Sequence, residues 1–121
     1  MKEPGPDHPI TIEKNPHRIR VLVGGVIVAE TTQALTLKEA TLPAVQYIPR
    51  QDAQMDLFER TEQTSHCPYK GDAAYYTVTA GGIVARNAVW TYEEPFPAVK
   101  EIAGHLAFYP SKVDAIEELN G

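Results

Sequence analysis

Asp72-Ala-Ala-Tyr-Tyr-Thr-Val-Thr-Ala80, Gly81-Gly82, Ile83-Val-Ala-Arg-Asn-Ala-Val-Trp-Thr-Tyr92 is the stretch that decides the fold. Ala74, Tyr76, Val78 and Ala80 recur at every second position, with Tyr75, Thr77 and Thr79 between them. That is the period of a strand with one apolar face. Two glycines interrupt the run, and a second run follows with Ala88, Trp90 and Tyr92 on one face. Gly-Gly between two such runs predicts a tight hairpin, because glycine adopts the positive φ that short hairpin turns require.

The same pattern occurs earlier in the chain. Arg18-Ile-Arg-Val-Leu-Val23 alternates, Gly24-Gly25 turns, and Val26-Ile-Val-Ala-Glu30 returns. Ala34 to Ala40 fits helix or strand; as a strand it aligns Leu35, Leu37 and Glu39 on one face. A carboxylate there is either leaving the strand for solvent or partly buried beside a partner, since buried charge persists only when paired. Val45 to Ile48 is extended up to Pro49, which disfavours helix at the residue before it. Residues 51–63 are polar, with Met55, Leu57 and Phe58 as apolar anchors. Pro97 to Ala103 predicts about two helical turns with Gly104 as the stop. His105 to Tyr109 reads as a strand; the tail is ambiguous, since Val113, Ile116 and Leu119 have helical spacing but the segment is short.

Composition bounds the rest. The 121 residues suit one domain, and 43% hydrophobic with 22% charged content is ordinary for a globular protein. Ten prolines and eight glycines cut the chain into short segments, which favours strands and turns. The expected fold is therefore mainly β. It is a single domain of short antiparallel strands in two packed or bent sheets, with one or two short helices. Residues 1–16, rich in proline, are expected to form a flexible arm, with residues 17–121 as the β-rich domain. The formal charge of −5 and the absence of a Lys/Arg cluster argue against nucleic acid. No apolar run approaches the length of a membrane span or marks a signal peptide, and one cysteine makes no internal disulfide. A cytoplasmic setting is the expectation. The partner classes left open are a small-molecule ligand and a second copy of the chain.

Chemistry concentrates in Thr64-Ser-His-Cys-Pro-Tyr-Lys-Gly71, which holds the only cysteine, with a histidine beside it and a lysine three residues on. Cys67 is the candidate catalytic residue, since a thiol near cationic side chains can act as a nucleophile. The bland alternative is a small buried thiol that packs like alanine. His66 and Cys67 point to opposite faces on an extended backbone, which weakens that pairing. Zinc normally takes three or four ligands at paired spacings, and His8, His17, His66, His105 and Cys67 do not supply them; no metal or cofactor is expected. Lys70 beside Gly71 suggests an anion clamp, joined by Arg50 if the strands converge. The alternative is ion pairing with Asp52 or Asp72. Neither GxxxxGK[ST] nor an Asp-x-Asp pair occurs. Arg50, Asp52, Tyr69, Lys70 and Trp90 are the candidate ligand-binding residues, with Trp90 either core or pocket wall.

Tyr47-Ile-Pro-Arg-Gln-Asp52, Thr64 to Gly71, Ala88-Val-Trp-Thr-Tyr92 and His105 to Tyr109 together resemble domain-of-unknown-function family 427. The resemblance spans roughly residues 19–116. It rests on Tyr47, Pro49, Arg50, Asp52, Thr64, Cys67, Pro68, Lys70, Gly71, Trp90 and Tyr92. It implies a small β-rich bacterial or fungal domain without an established reaction, sometimes labelled nucleotidyltransferase-like. Three functions stay open: binding of, or action on, a small polar or anionic molecule at the Cys-Pro-Tyr-Lys-Gly element; a thiol-dependent enzyme using Cys67; and a structural or interaction domain whose motif serves folding.

Overall fold

Alternating side chains and two Gly-Gly pairs build most of the molecule. The computed structural model describes residues 1–120. Its strands are β1 (Ile10–Asn15), β2 (Arg18–Val23), β3 (Val26–Thr31), β4 (Ala34–Glu39), β5 (Val45–Tyr47), β6 (Phe58–Cys67), β7 (Gly71–Ala80), β8 (Ile83–Thr91), β9 (Leu106–Phe108) and β10 (Ala115–Leu119). All pairings are antiparallel, in sheets ordered β1-β4-β5, β10-β2-β3 and β6-β7-β8-β9. The first and third join where Ile48 and Leu106 exchange two backbone hydrogen bonds of 2.8 Å. The result is one long bent sheet facing the smaller β10-β2-β3 sheet, in keeping with the mainly β expectation.

Helical content is confined to short 3-10 turns, at Arg50–Asp52, Met55–Leu57, Pro97–Ile102 and Pro110–Lys112. The two turns expected after Pro97 therefore form, but tightly wound and kinked at Val99 (φ −126°), with Gly104 (φ 71°) ending them. None of the described helices is long and apolar enough to cross a membrane.

Strand β7 carries the packing. Tyr76, Val78 and Ala80 join a core completed by Ile19, Val21, Val23 and Val28 from the smaller sheet. Ala73 and Tyr75 point the other way, into a second core with Leu37, Tyr47, Tyr92, Val99 and Ile102. The face expected to be polar is thus buried at Tyr75, which is only 7% exposed, while Thr79 stays exposed. A two-residue register shift in β8 around Asn87 (φ 49°) also moves Ala88 into the first core, away from Trp90.

One sequence expectation is corrected. Residues 10–15 do not belong to a loose arm; they form β1, paired along its whole length with β4. The C-terminal segment, ambiguous in the sequence, forms β10 over Ala115–Leu119, an edge strand on β2, and Val113 lies outside it. β1 carries only two apolar residues, too few for its two-residue period to stand out.

Both Gly-Gly hairpins form, with all four glycines at positive φ, between 57° and 80°. Their tips also cross. A Cβ on Gly24 would lie 2.2 Å from the Ala80 carbonyl oxygen, and one on Gly81 would lie 2.0 Å from the Gly24 carbonyl oxygen. Gly25 and Gly82 face open space. Gly24→Ala and Gly81→Ala should therefore each cost more than about 3 kcal/mol, through left-handed strain added to a backbone clash. Gly25→Asn should cost only about 1 kcal/mol. Urea unfolding of the three variants checks the contrast, and equal losses would remove the crossing as its cause.

Candidate functional site

The octapeptide is a hairpin. Thr64 to Cys67 end β6, Pro68 to Lys70 turn the chain, and Gly71 begins β7 opposite Cys67. Gly71 is at φ 114°, a conformation suited to glycine, and the Lys70 carbonyl accepts a bond from the Phe96 N–H at 2.9 Å. This geometry sends the Lys70 side chain back across the turn toward β4.

There it meets Glu39. The Lys70 ammonium donates to Glu39 Oε1, and His8 Nε2 lies 2.8 Å from Oε2. Glu39 is 8% exposed. Of the two sequence readings of this acid, the partly buried and partnered one holds. Burial alone would push the carboxyl up, but the bonds and charges of Lys70 and His8 outweigh it and hold its pKa below the ordinary 4.5. The N-terminal segment completes the arrangement. His8 stacks on Tyr69 at 3.8 Å, the Lys2 ammonium lies 5.9 Å from the same ring, and the Lys2 N–H bonds the Pro68 carbonyl at 2.7 Å. Tyr69 is thus covered by the arm.

The ion pair lines a cleft of about 280 Å3. Its other walls include Cys67, Ser65, His66 and five aromatic residues, Tyr47, Tyr75, Trp90, Tyr92 and Tyr109. The aromatic groups are fixed by one another. Trp90 Nε1–H donates to the Tyr47 hydroxyl at 3.2 Å, the Trp90 and Tyr109 rings lie 4.5 Å apart, and the Tyr75 hydroxyl bonds Ser65 Oγ at 2.8 Å and the Tyr109 hydroxyl at 3.2 Å. Burial raises the phenol pKa of Tyr47 and Tyr92 well above the usual value. Burial, with the Tyr75 hydrogen bond next, pushes Tyr109 up to about 12. All three stay neutral near pH 7 and can donate hydrogen bonds. Tyr92 lines the same cleft, and among the described residues its hydroxyl takes no part in this network.

The predicted residues separate into two groups. Cys67, Lys70 and Trp90 share the cleft. Arg50 and Asp52 do not. Arg50 Nη1 donates to the Tyr76 hydroxyl at 2.8 Å and lies over that ring, while Asp52 Oδ2 accepts from Thr31 Oγ1 at 2.6 Å. Tyr76 belongs to the opposite face of β7 from Tyr75, so strand alternation puts Arg50 and Lys70 on different sides of the sheet. The expected convergence of the two cations does not occur. His66 borders the cleft as well, but its ring bonds Asp72 Oδ1 at 2.7 Å and stands edge-on to Phe96. His8, Tyr47, Tyr92 and Tyr109 were not predicted as site residues. Only the aromatic density of the second half of the chain hinted at the tyrosines, and nothing local hinted at His8.

The chain belongs to the family described as Domain of unknown function (DUF427), whose model matches residues 11–119. The matched residues include Glu39, the octapeptide and every aromatic wall of the cleft; the arm bearing His8 precedes them. No curated protein matched the chain.

The ion pair makes a direct forecast. Lys70→Met leaves a buried carboxylate and should cost about 3 kcal/mol at pH 7, whereas Glu39→Gln/Lys70→Met should cost less than the single change. Because the Glu39 pKa is depressed on folding, its stabilisation is fully present above about pH 4.5 and is lost as pH falls through the lower folded value. The stability difference between wild type and Glu39→Gln should therefore shrink below pH 4.5. Denaturant unfolding across pH 3–7 measures it, and a constant difference would contradict the assignment.

Proposed function

We propose that this domain binds a small polar molecule in the cleft between β4 and the β6–β7 turn. The observation that carries the reading is the Lys70–Glu39 pair opening on a recess walled by fixed aromatic rings. A donor cation and an acceptor carboxylate lie there beside Tyr92, with apolar surface around them. Binding sites have this composition: apolar walls with a few placed polar groups.

Charge refines the ligand. Lys70 is already neutralised by Glu39, so an anion would have to displace a carboxylate. A neutral or zwitterionic group offering both a donor and an acceptor fits without that cost. Nucleotidyl transfer fits less well. It usually needs two or more carboxylates and a phosphate cradle. Glu39 is the sole carboxylate among the described residues lining the cleft. Cys67 serves as wall rather than nucleophile, because its neighbour His66 is committed to Asp72. This reading places the domain in the cytoplasm, with its single thiol reduced and a small molecule as its partner.

The structural reading has one observation in its favour: the same ion pair ties β4 to the β6–β7 turn. Ligand-observed NMR with a library of small polar fragments separates the two. Wild type should bind amide- or alcohol-bearing fragments. Tyr92→Phe should weaken them about fivefold to tenfold, the loss of one hydrogen bond. Cys67→Ser should retain them, and Cys67→Phe should block the cleft. Absence of binding, or binding indifferent to Cys67→Phe, would leave the structural reading in its place.

A further inference from the structure

A second recess adjoins the polar cleft. It encloses about 700 Å3, and its floor is apolar: Val21, Ile48 and Phe108 are almost fully buried, and Val45 and Ile116 flank them. Gln46 supplies the only polar side chain among the described lining residues. Four residues, Leu42, Pro43, Val45 and Trp90, line both recesses. The two spaces therefore share a boundary at Trp90 and the loop between β4 and β5. The Trp90 N–H is spent on Tyr47, so the indole is held in place and offers its ring surface to a ligand.

We infer that the ligand is amphipathic, with a neutral donor–acceptor head such as a carboxamide beside Lys70 and Glu39, and an aliphatic tail running past Trp90 into the apolar recess. This rests on the reading of the polar cleft as a ligand site and adds the class of molecule. Three observations support a tail rather than a protein partner. The apolar surface is recessed, its floor residues being almost fully buried. Among the described residues, the exposed large hydrophobics are Met1, Leu42, Ile83 and Val84, and only Leu42 borders this recess. A stable partner surface buries about 800 Å2 on each side, far more than a slot beneath one loop offers. A polar cleft next to an apolar recess, with Trp90 on the boundary of both, suits a molecule with a polar head and an apolar body. Leu42 is 59% exposed on the loop between β4 and β5, where it can close over the tail.

Trp90 is the only tryptophan, so its fluorescence reports the junction itself. Titration of the full chain with n-alkyl primary amides from butanamide to octanamide tests the inference. Affinity should rise roughly fourfold per added methylene, as each is buried, until the recess is full. Ala115→Phe, which places a ring at the recess, should abolish the dependence on chain length while keeping the thermal melt. Leu42→Ser, on the exposed loop, should weaken the long amides and not the short ones. Equal affinity for all chain lengths would overturn the tail site and leave the polar cleft standing. Rising affinity that Ala115→Phe and Leu42→Ser both leave intact would also overturn it, since the tail would lie elsewhere. Rising affinity lost in both variants but unchanged by Tyr92→Phe would keep the tail site and reject the head group's contact with the polar cleft. No binding by any amide would overturn the class proposed. Concentration-dependent dimers that Ala115→Phe dissolves would assign the recess to a second copy instead.

Discussion

Burial of β7 on both faces is the constraint on which the architecture depends. A strand at the surface of a sandwich needs one apolar face; this one needs two, and Ala73-Ala-Tyr-Tyr76 supplies them. Tyr76 packs toward the smaller sheet and Tyr75 toward β4 and β5. A flat sheet could not wrap neighbours around both sides. The neighbours bend instead: β6 places residues 61–63 opposite Tyr75, and β8 places residues 86–88 opposite Thr77. The two irregular stretches are tied together. Thr61 Oγ1 donates to Asn87 Oδ1 at 2.6 Å, and the Asn87 N–H donates to Thr77 Oγ1 at 3.1 Å. Bulges of this kind increase local twist, which lets one long sheet cover two cores.

How much of this was legible follows from the range of each interaction. Hairpins at Gly24-Gly25 and Gly81-Gly82 are local, so the sequence carried them plainly. That their tips cross, backbone against backbone, depends on two segments more than fifty positions apart, and no pattern near either pair announces it. β1 was hidden because Ile10 and Ile12 are the only apolar positions in it and prolines crowd its approach. Its pairing with β4 is a tertiary choice. Glu39 was the most informative anomaly, since a carboxylate on a leucine face implies a partner, but only the fold could name Lys70 and His8 as those partners.

The site was half legible for a related reason. Cys67 and Lys70 are bound to one place by Pro68 and Gly71, so sequence proximity and spatial proximity agree. Arg50 was drawn in by residue type alone. Its position after Pro49 says nothing of which face of β7 it will reach, and Tyr76 captures it on the far side. The aromatic residues were visible as a density and not as a cage, because the Trp90–Tyr47 and Tyr75–Tyr109 contacts join different strands and loops.

The Lys70–Glu39 pair bears on function through its cost. Two charges with side chains 12% and 10% exposed lose much of their hydration. Attraction between them only offsets that loss, and an apolar pair of similar volume is often as stable or more so. Stability alone therefore gives little reason for a lysine and a glutamate to meet here, between the leucines of β4 and a wall of tyrosines. Their arrangement is easier to account for by what lies in front of them. Among the described residues lining the recess, Lys70 is the only ammonium and Glu39 the only carboxylate, so the strongest charge-assisted hydrogen bonds there would come from this pair. The aromatic cage keeps the pair in a setting of low polarity, where such bonds are strongest. The network that fixes Trp90 and the tyrosines also holds the cavity walls in position, which is the preorganisation the proposed binding would draw on.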